Sequence, residues 1–407
     1  MPFKSIGERK QMTPLIPLIK KVLPSMVELR RHFHAYPEPG FQEYETSKKI
    51  SGILEKISGI EMQTNMAETG IVAILGRRKS GPCVALRADM DALPIPEMTG
   101  KPYASKNVKY MHACGHDGHM ACLVGAVLVL AEIQDELQGP VKFIFQPAEE
   151  CGGGARKMCD QGVLSHPEVE AIFGLHVHHG RNLQLGGVGV CSRSAMAGSG
   201  NFRIEIHGKG GHAAYPHLCK DPVFIGMQVG IALQAIVSRF TNPVDSAVIT
   251  VSKFHAGTAV NIIPDTSVLE GTFRSLSPRV LKQIAKQIET TACRTARMFG
   301  ADADVIIHDG YPVLVNHIRS TTVFKKVAEQ VVPPALLKLD FPPLMGCEDF
   351  AYYAEKIPAT FWFLGIRPPD VSSYPPCHHP SFDFNDDALA AGIQMHCEIA
   401  RQFVRFW

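Results

Sequence analysis

The chain has 407 residues, 45% of them hydrophobic and 20% charged, a composition typical of a globular protein large enough for two domains. Its net charge of +2 gives no reason to expect nucleic acid or an anionic membrane as a partner. The 11 cysteines are odd in number and irregularly spaced, which argues against a disulfide framework and favours reduced thiols, as expected for a cytoplasmic location. The N-terminal stretch lacks the apolar core of a signal peptide, and no run of about 18 uncharged apolar residues predicts a membrane span.

Apolar runs alternate with helical patterns in the first part of the chain. Four strands are predicted here: Ile71–Leu75, Cys83–Ala88, Val141–Phe145 and Ala171–Leu175. One long apolar helix, Met120–Ile133, is predicted between the second and the third of these strands. This alternation favours an α/β sheet with parallel character, in which ligands bind at the carboxyl ends of strands. Candidate site residues follow three of these strands: Asp89 and Asp91, then Glu149 and Glu150, then His176.

The pattern changes in the middle of the chain. Four strands and two helices are predicted in the order β-α-β-β-α-β: Asn201–His207, Pro222–Phe240, Ala247–Phe254, Thr266–Phe273, Pro278–Phe299 and Ala303–His308. That order is the split unit of ferredoxin-like domains. The α/β pattern then resumes with a helix, a strand and a closing helix: Ser320–Val332, Phe361–Gly365 and Asp386–Val404. We therefore predict a discontinuous domain of residues 1–192 and 311–407, interrupted by an inserted domain of residues 193–310.

Candidate metal ligands are dispersed along the sequence, so that only a fold can collect them. Cys114 and His116 lie two residues apart before a helix, where both side chains can reach one ion. His176 ends a strand, and at most one of His378 and His379 is a candidate because adjacent side chains diverge. Dispersed thiolate, imidazole and carboxylate groups are typical of a catalytic metal site, whereas a structural zinc finger has short paired spacings. A buried cysteine and satisfied core histidines are the competing interpretation.

The adjacent Glu149 and Glu150 follow an apolar strand and precede three glycines. Adjacent residues at a strand end point in opposite directions, so one carboxylate can ligate a metal while the other faces the substrate. A carboxylate beside a metal-activated water is the arrangement for general-base hydrolysis. The competing interpretation is a pair of solvated glutamates.

The inserted segment carries signals of its own. His212 lies in a glycine-rich turn, a position suited to a hydrogen-bond donor for a developing oxyanion. The segment Gly257–Pro264 and Arg274 could supply amide and guanidinium donors, and the forked guanidinium of an arginine is suited to binding a substrate carboxylate. A plain hairpin, an ordinary loop and a solvated charge are the competing interpretations, because each signal alone is unspecific.

Together these segments closely resemble the di-metal amidohydrolases that include aminoacylases, hippurate hydrolases, plant auxin-conjugate hydrolases and related metallo-carboxypeptidases. The resemblance runs from about Leu29 to the last helix. Its motifs, which are highly specific when they occur in this order, are Arg87–Pro94, Ala113–Asp117, Gln146–Glu150, Gly174–Val177, Gly210–Ala214, Val260–Pro264, Glu348–Phe350 and His378–Phe382.

The resemblance implies a role for each matching residue. Two divalent ions per subunit (zinc, manganese, nickel or cobalt) would be held by Cys114, His116, Glu150, His176 and His378. Glu149 matches the general base, which takes a proton from the attacking water and returns it to the leaving nitrogen. His212 matches a lid histidine that in dimeric relatives reaches the active site of the partner subunit.

Other matches are less specific. Asn261 and Arg274 lie where relatives hold the substrate. Asp91 matches an acid that supports the metals, but Asp89 is close enough to leave that assignment open. The chain departs from the family pattern at two cysteines near the site, where relatives commonly have glycine or another small residue: Cys151 and Cys347. These thiols leave metal identity and acyl specificity open.

The resemblance also implies an architecture and an activity. We expect a mixed-sheet, zinc-peptidase-like catalytic domain with an inserted ferredoxin-like α+β domain that serves as lid and dimerisation domain. The predicted reaction is hydrolysis of N-acyl-L-amino acids to a carboxylate and a free amino acid, in a homodimer or higher homo-oligomer. A metallo-carboxypeptidase or dipeptidase acting on short peptides is one alternative. A catalytically silent dimer that binds metal or peptide is the other.

Overall fold

The computed structural model describes residues 12–407, so the first eleven residues of the N-terminal stretch lie outside the described part. The strands are β1 Ile60–Met66, β2 Gly70–Leu75, β3 Cys83–Asp89, β4 Val141–Gln146, β5 Val169–His178, β6 Val188–Val190, β7 Ser194–Met196, β8 Gly198–His207, β9 Gly211–His212, β10 Ala247–Ala256, β11 Ile262–Ile263, β12 Thr266–Ser275, β13 Asp302–Asp309, β14 Leu314–Val315, β15 Leu337–Lys338 and β16 Ala359–Gly365. The helices are α1 Leu15–Ala35, α2 Tyr44–Leu54, α3 His116–Glu132, α4 Gly154–Asp160, α5 Pro222–Ala235, α6 Pro278–Met298, α7 Ile318–Val331, α8 Ala351–Ala354 and α9 Leu389–Phe406.

The described chain divides into two compact units. The first comprises the residues up to Ser192 with Asn316–Phe341 and Lys356–Trp407, and the second comprises Arg193–Val315 with Pro342–Glu355. Pro342–Glu355 therefore groups with the second unit, although the sequence pattern assigned it to the larger domain. One reason is a backbone hydrogen bond of 3.0 Å from the Ala197 nitrogen to the Leu344 oxygen, within this second unit.

The first unit is built on an eight-stranded sheet in the order β1-β2-β4-β3-β5-β16-β6-β15. β3 pairs in parallel with both β4 and β5, and β16 continues the parallel run on β5. β1 and β2 add antiparallel strands at one side, which makes the sheet mixed. Every residue of β2, β3, β4 and β16 is buried, as expected for strands covered on both faces. The predicted α/β class with a mixed sheet is confirmed.

The second unit contains a four-stranded antiparallel sheet in the order β10-β12-β8-β13. Helices α5 and α6 pack on it, and the chain order is β-α-β-β-α-β, as the periodicity predicted. α6 places its apolar residues at helical spacing, so that Ile284, Ile288 and Ala292 are fully buried. These side chains belong to a core separate from that of the first unit.

One helical stretch of residues 12–407, Pro222–Phe240, has the length and composition to cross a membrane, although the sequence analysis found no such run. Part of its apolar character serves the core of the second unit, where four of its side chains are buried: Ile225, Val229, Leu233 and Ile236. The remainder forms an exposed apolar face of α5, made of Phe224, Met227 and Ile231.

Candidate metal centre

The candidate ligands are brought together by three neighbouring parallel strands. β4, β3 and β5 lie side by side, so their carboxyl ends share one edge of the sheet. Asp91 follows β3, Glu149 follows β4, and His176 lies near the end of β5. This is the edge at which open α/β sheets bind their ligands.

A glycine turn sets the position of the next two candidates. Gly115 has φ +87°, and a Cβ there would approach Val177 Cγ2 to 2.7 Å, so only glycine fits without strain. The turn joins Cys114 to His116, the first residue of α3. Both side chains are buried.

Six side chains converge on one place. Cys114, His116 and His176 each offer a ligand atom within 4.8 Å of the others, as do Cys114, Glu150 and His378. His116, Glu149 and Glu150 form a third such group. Because the groups share members, the five predicted ligands and Glu149 form a single cluster. The structure therefore collects these residues from widely separated parts of the sequence.

Hydrogen bonds orient two imidazoles of the cluster. His116 Nδ1 donates to the Asp91 backbone oxygen at 2.8 Å, and His176 Nδ1 donates to the Val177 oxygen at 2.8 Å. A carbonyl oxygen can only accept, so Nδ1 of each ring carries a proton and Nε2 is the nitrogen that is left to face a metal ion. Metal-ligating histidines are usually fixed in this way. His176 Nε2 lies 3.4 Å from Cys114 Sγ.

A buried ring nitrogen without a hydrogen bond and the local electrostatics fit a bound cation. His116 Nε2 is buried and makes no hydrogen bond, and the buried Glu150 Oε1 lies 3.2 Å from His378 Nε2. Burial lowers the pKa of His116, but Asp89 and Asp91 outweigh it and raise that pKa well above its ordinary value. The negative potential that attracts a proton here would equally attract a metal ion.

The two glutamates lie in a turn, which corrects the argument from strand alternation. β4 ends at Gln146, and Ala148 has φ +52°. The Asp91 carboxylate accepts from the backbone nitrogens of Glu149 at 3.0 Å and of Glu150 at 2.9 Å. The turn and Asp91, not a pleated strand, therefore set the directions of the two side chains.

The two candidate aspartates have separate partners. Asp91 holds the glutamate turn and the His116 ring, as described above. Asp89 accepts from His119 Nδ1 at 2.6 Å and from Arg87 Nη1 at 2.7 Å. His119 Nε2 in turn accepts from the Val177 nitrogen at 3.0 Å, which ties the end of β3 to β5.

A buried arginine that the sequence analysis did not assign lies behind the cluster. Arg30 on α1 is fully buried, and its Nε lies 3.0 Å from an oxygen of Asp117, the residue after His116. Arg30 also pairs with Asp383 and Asp386, close in sequence to His378. Arg30 thus connects the chain segment that carries His116 with the segment that carries His378. The start of the resemblance, at about Leu29, was the only sequence signal for it.

His34, one turn along α1, completes this ion-pair network. Its Nδ1 lies 2.8 Å from Asp117 and its Nε2 lies 3.3 Å from Glu97. Burial lowers the pKa of His34, but hydrogen bonds to Asp117 and Glu97 outweigh it and raise that pKa to about 9. The imidazole therefore adds positive charge beside Asp117 at neutral pH.

The second unit holds the three remaining candidates. His212 pairs with Ile262 in a short two-stranded sheet, and the Ala213 nitrogen donates to the Asn261 oxygen at 3.0 Å. His212 and Asn261 therefore lie close together, and both are exposed. Arg274 lies apart on β12, where its Nη1 donates to the Met345 oxygen at 2.9 Å and contacts Cys347 Sγ at 3.0 Å. Cys347 thus has a partner within this unit, whereas Cys151 in the first unit is exposed.

Comparisons with known proteins show which family the chain resembles. The profile of peptidase family M20/M25/M40 matches residues 85–402. IAA-amino acid hydrolase ILR1-like 4 of Arabidopsis thaliana is 42% identical, over 93% of this chain and 86% of the relative. N-acetyl-L-cysteine deacetylase of Bacillus subtilis strain 168 is 39% identical, over 93% of this chain and 88% of the relative. The Bacillus subtilis YXEP protein, a dinuclear metal binding peptidase of the M20 family, superposes with a TM-score of 0.82 at 34% identity, covering 95% of this chain and 100% of that one.

Proposed function

This chain belongs to peptidase family M20/M25/M40, and from that membership and its ligand cluster we propose that it is a metal-dependent amidohydrolase acting on N-acyl-L-amino acids. The observation that carries the proposal is the convergence of one thiol, three imidazoles and one carboxylate, with a second carboxylate, Glu149, beside them. Relatives named for IAA–amino acid and N-acetylcysteine hydrolysis support an acylated amino acid as the substrate. The products would be a carboxylate and a free amino acid.

Two divalent ions would be held by the five predicted ligands: Cys114, His116, Glu150, His176 and His378. When bound, the ions would polarise the amide carbonyl and lower the pKa of the attacking water, from about 15.7 toward roughly 7 in the case of zinc. A thiolate in the set favours zinc or nickel over magnesium or calcium.

Glu149 would move the proton. Its backbone is held by Asp91, and its side chain is buried within the cluster, beside Glu150 and His116. It would accept a proton from the attacking water and deliver the same proton to the departing nitrogen, so that the base is regenerated in each cycle. His212 would donate to the developing oxyanion, and Asn261 and Arg274 would bind the carboxylate of the amino acid.

A substrate panel tests the proposal. N-acetyl-methionine, hippurate and short dipeptides would be offered to the metal-free protein after reconstitution with zinc, manganese, nickel or cobalt. We expect the N-acyl amino acids to be hydrolysed with a higher kcat/KM than the dipeptides. Faster cleavage of dipeptides would indicate a peptidase instead. Stoichiometric metal binding without any hydrolysis would indicate a catalytically silent protein.

Replacing His212 with alanine should slow turnover and leave metal content unchanged. Loss of one oxyanion donor typically costs on the order of 2.7–4 kcal/mol of barrier, or about 10²–10³ in kcat. The imidazole is exposed in its own unit and lies outside the metal-ligand cluster, so the variant should bind metal like the wild type. Turnover of N-acetyl-methionine and metal analysis check this, and normal turnover would remove His212 from the mechanism.

Complementation tests whether His212 acts on the partner subunit of a homodimer. The exposed apolar face of α5 supports a dimer formed through the second unit. Mixing His212→Ala with Glu149→Gln under subunit exchange creates heterodimers in which one active site has both intact residues. Recovery of about a quarter of wild-type activity is expected for random mixing of dimers. No recovery in a dimer whose subunits do exchange would mean that His212 acts within its own subunit.

A further inference from the structure

A second buried carboxylate holds the turn that carries the two glutamates. The Ala148 nitrogen donates to Glu43 Oε1 at 2.9 Å, and Glu43 is fully buried. Asp91 accepts from the next two backbone nitrogens along the chain, as described above. Two carboxylates therefore bind the three successive backbone amides of residues 148–150. The proposed mechanism gives Glu43 no role.

Glu43 does not cap the helix that it precedes. A carboxylate just before a helix usually accepts from the free amides of the first turn, but the Glu43 side chain makes no such bond to α2. Glu38 accepts from those amides instead, at 3.1 Å from the Glu45 nitrogen and 2.8 Å from the Thr46 nitrogen. The second oxygen of Glu43 accepts from the Thr69 hydroxyl at 2.5 Å. The Glu43 carboxylate is thus oriented toward the glutamate turn and not toward its own helix.

The segment Glu38–Glu43 is fixed against both parts of the chain that form the turn. The backbone oxygen of its first residue accepts from the nitrogen of Ala92, the residue after Asp91, at 2.9 Å. A Cβ on Gly40 would lie 2.9 Å from the Cβ of Ala148, so the two segments pack in close contact. Ala148 has φ +52°, a conformation that a residue other than glycine keeps only where its surroundings fix it. The hydrogen bond to the Ala148 amide is one of the contacts that fix it.

We propose that Glu43 is a positioning residue for the reaction, which holds the Ala148 amide and so sets the directions of the Glu149 and Glu150 side chains. Both side chains follow the Ala148 peptide directly, so a rotation of that peptide would move the base and the ligand together. A misplacement of about 1 Å can cost on the order of 10²-fold in rate. The inference rests on the proposed function, because it takes Glu149 as the base and Glu150 as a metal ligand.

Two substitutions of Glu43 separate the hydrogen bond from the volume of the side chain. Glu43→Gln keeps an oxygen that accepts from the Ala148 amide, and its NH2 group can donate to the Thr69 hydroxyl. Glu43→Met keeps the length of the side chain but offers only a weakly accepting sulfur. With N-acetyl-methionine at saturating zinc, we expect kcat to fall on the order of 10–100-fold in Glu43→Met and less than about threefold in Glu43→Gln. KM should stay close to the wild-type value in both.

Lys142→Met is the matched control for a loss of stability alone. Lys142 is buried at the opposite end of β4, where its Nζ donates to the backbone oxygens of Val163, Ser165 and Pro167 at 2.8, 2.7 and 3.0 Å. Its replacement leaves these oxygens without their donor, so urea unfolding should show a destabilised protein, as for Glu43→Met. The kcat of Lys142→Met should equal that of the wild type.

Hydrogen–deuterium exchange of the metal-free, full-length protein tests the positioning without any activity. The amides of residues 148–150 should exchange on the order of tenfold or more faster in Glu43→Met than in the wild type, and at the wild-type rate in Glu43→Gln and Lys142→Met. Zinc affinity, measured by competition with a chromophoric chelator, should fall on the order of 10–100-fold in Glu43→Met. If Glu43→Met does not fold, Thr69→Val takes its place. This variant keeps the side-chain shape and removes one hydrogen bond to Glu43, so kcat should fall about two- to tenfold.

Wild-type kcat and wild-type exchange in Glu43→Met would overturn the positioning role and leave the amidohydrolase proposal standing. Equal losses of kcat in Glu43→Gln and Glu43→Met, or in Lys142→Met and Glu43→Met, would overturn it as well. A wild-type protein that hydrolyses no N-acyl amino acid would overturn the proposed function instead. Exchange and zinc affinity would then still decide whether Glu43 positions the turn.

Discussion

Replacing Glu149 with glutamine should abolish hydrolysis of N-acyl amino acids while both metal ions stay bound. Glutamine keeps the shape of the side chain and the backbone hydrogen bond to Asp91, but it cannot accept a proton from water. General-base catalysis contributes on the order of 10²–10⁴ to the rate, so turnover of N-acetyl-methionine should fall at least that far. Metal analysis of the same sample should match the wild type.

Glu150→Gln is the matched control, one residue away in the same turn. Its carboxylate belongs to the group with Cys114 and His378, so this variant should lose metal, and activity should fall with it. Added metal should restore part of the activity of Glu150→Gln and none of the activity of Glu149→Gln. The reverse pattern would mean that the base and the ligand have been exchanged.

Most strands and helices of this fold could be predicted from the periodicity of apolar residues in the sequence. The predicted strand Val141–Phe145 is observed as β4, and the predicted helix Pro278–Phe299 is observed as α6. Both carry a simple pattern, continuous burial in one case and one apolar face in the other. Helix α1 was not predicted, because Pro17, Pro24 and two adjacent lysines interrupt the apolar run that its buried side chains form.

Residue type and dispersal pointed to a metal site, but not to its geometry. Which glutamate faces which way depends on the left-handed backbone at Ala148 and on Asp91, and neither is encoded in strand alternation. The segments of Cys114 and His378 meet through a backbone hydrogen bond from the His378 nitrogen to the Ala113 oxygen, two residues that are far apart in the sequence. Contacts of this kind are set by the tertiary fold, and local sequence patterns do not predict them.

The buried ion pairs of Arg30 lead to the largest expected effect on stability. Arg30→Met keeps much of the side-chain volume but leaves Asp117 buried without its guanidinium partner, and Asp383 and Asp386 lose the same charge. Removing one member of a buried ion-pair network costs about 3–5 kcal/mol, because the remaining charges stay desolvated. Urea unfolding of the metal-free protein, followed by circular dichroism, would measure this loss.

Arg31→Met supplies the control, because the neighbouring arginine is half-exposed and pairs only with Asp386 among the described ion pairs. Its loss should lower the free energy of unfolding by less than about 1 kcal/mol.

The two variants should also differ in their stability at acidic pH. Burial raises the pKa of Asp117, but Arg30 and His34 outweigh it and lower that pKa, so its contribution is present above the unfolded value and is lost as pH falls. Without Arg30 the pKa of Asp117 should lie closer to its unfolded value, so the loss of stability in acid should be smaller than in the wild type, whereas Arg31→Met should follow the wild type. Equal stability of the two variants would show that the network does not hold the ligand segments. If it does hold them, Arg30→Met should also bind metal on the order of 10–100-fold more weakly, because the loops that carry His116 and His378 would lose their common anchor.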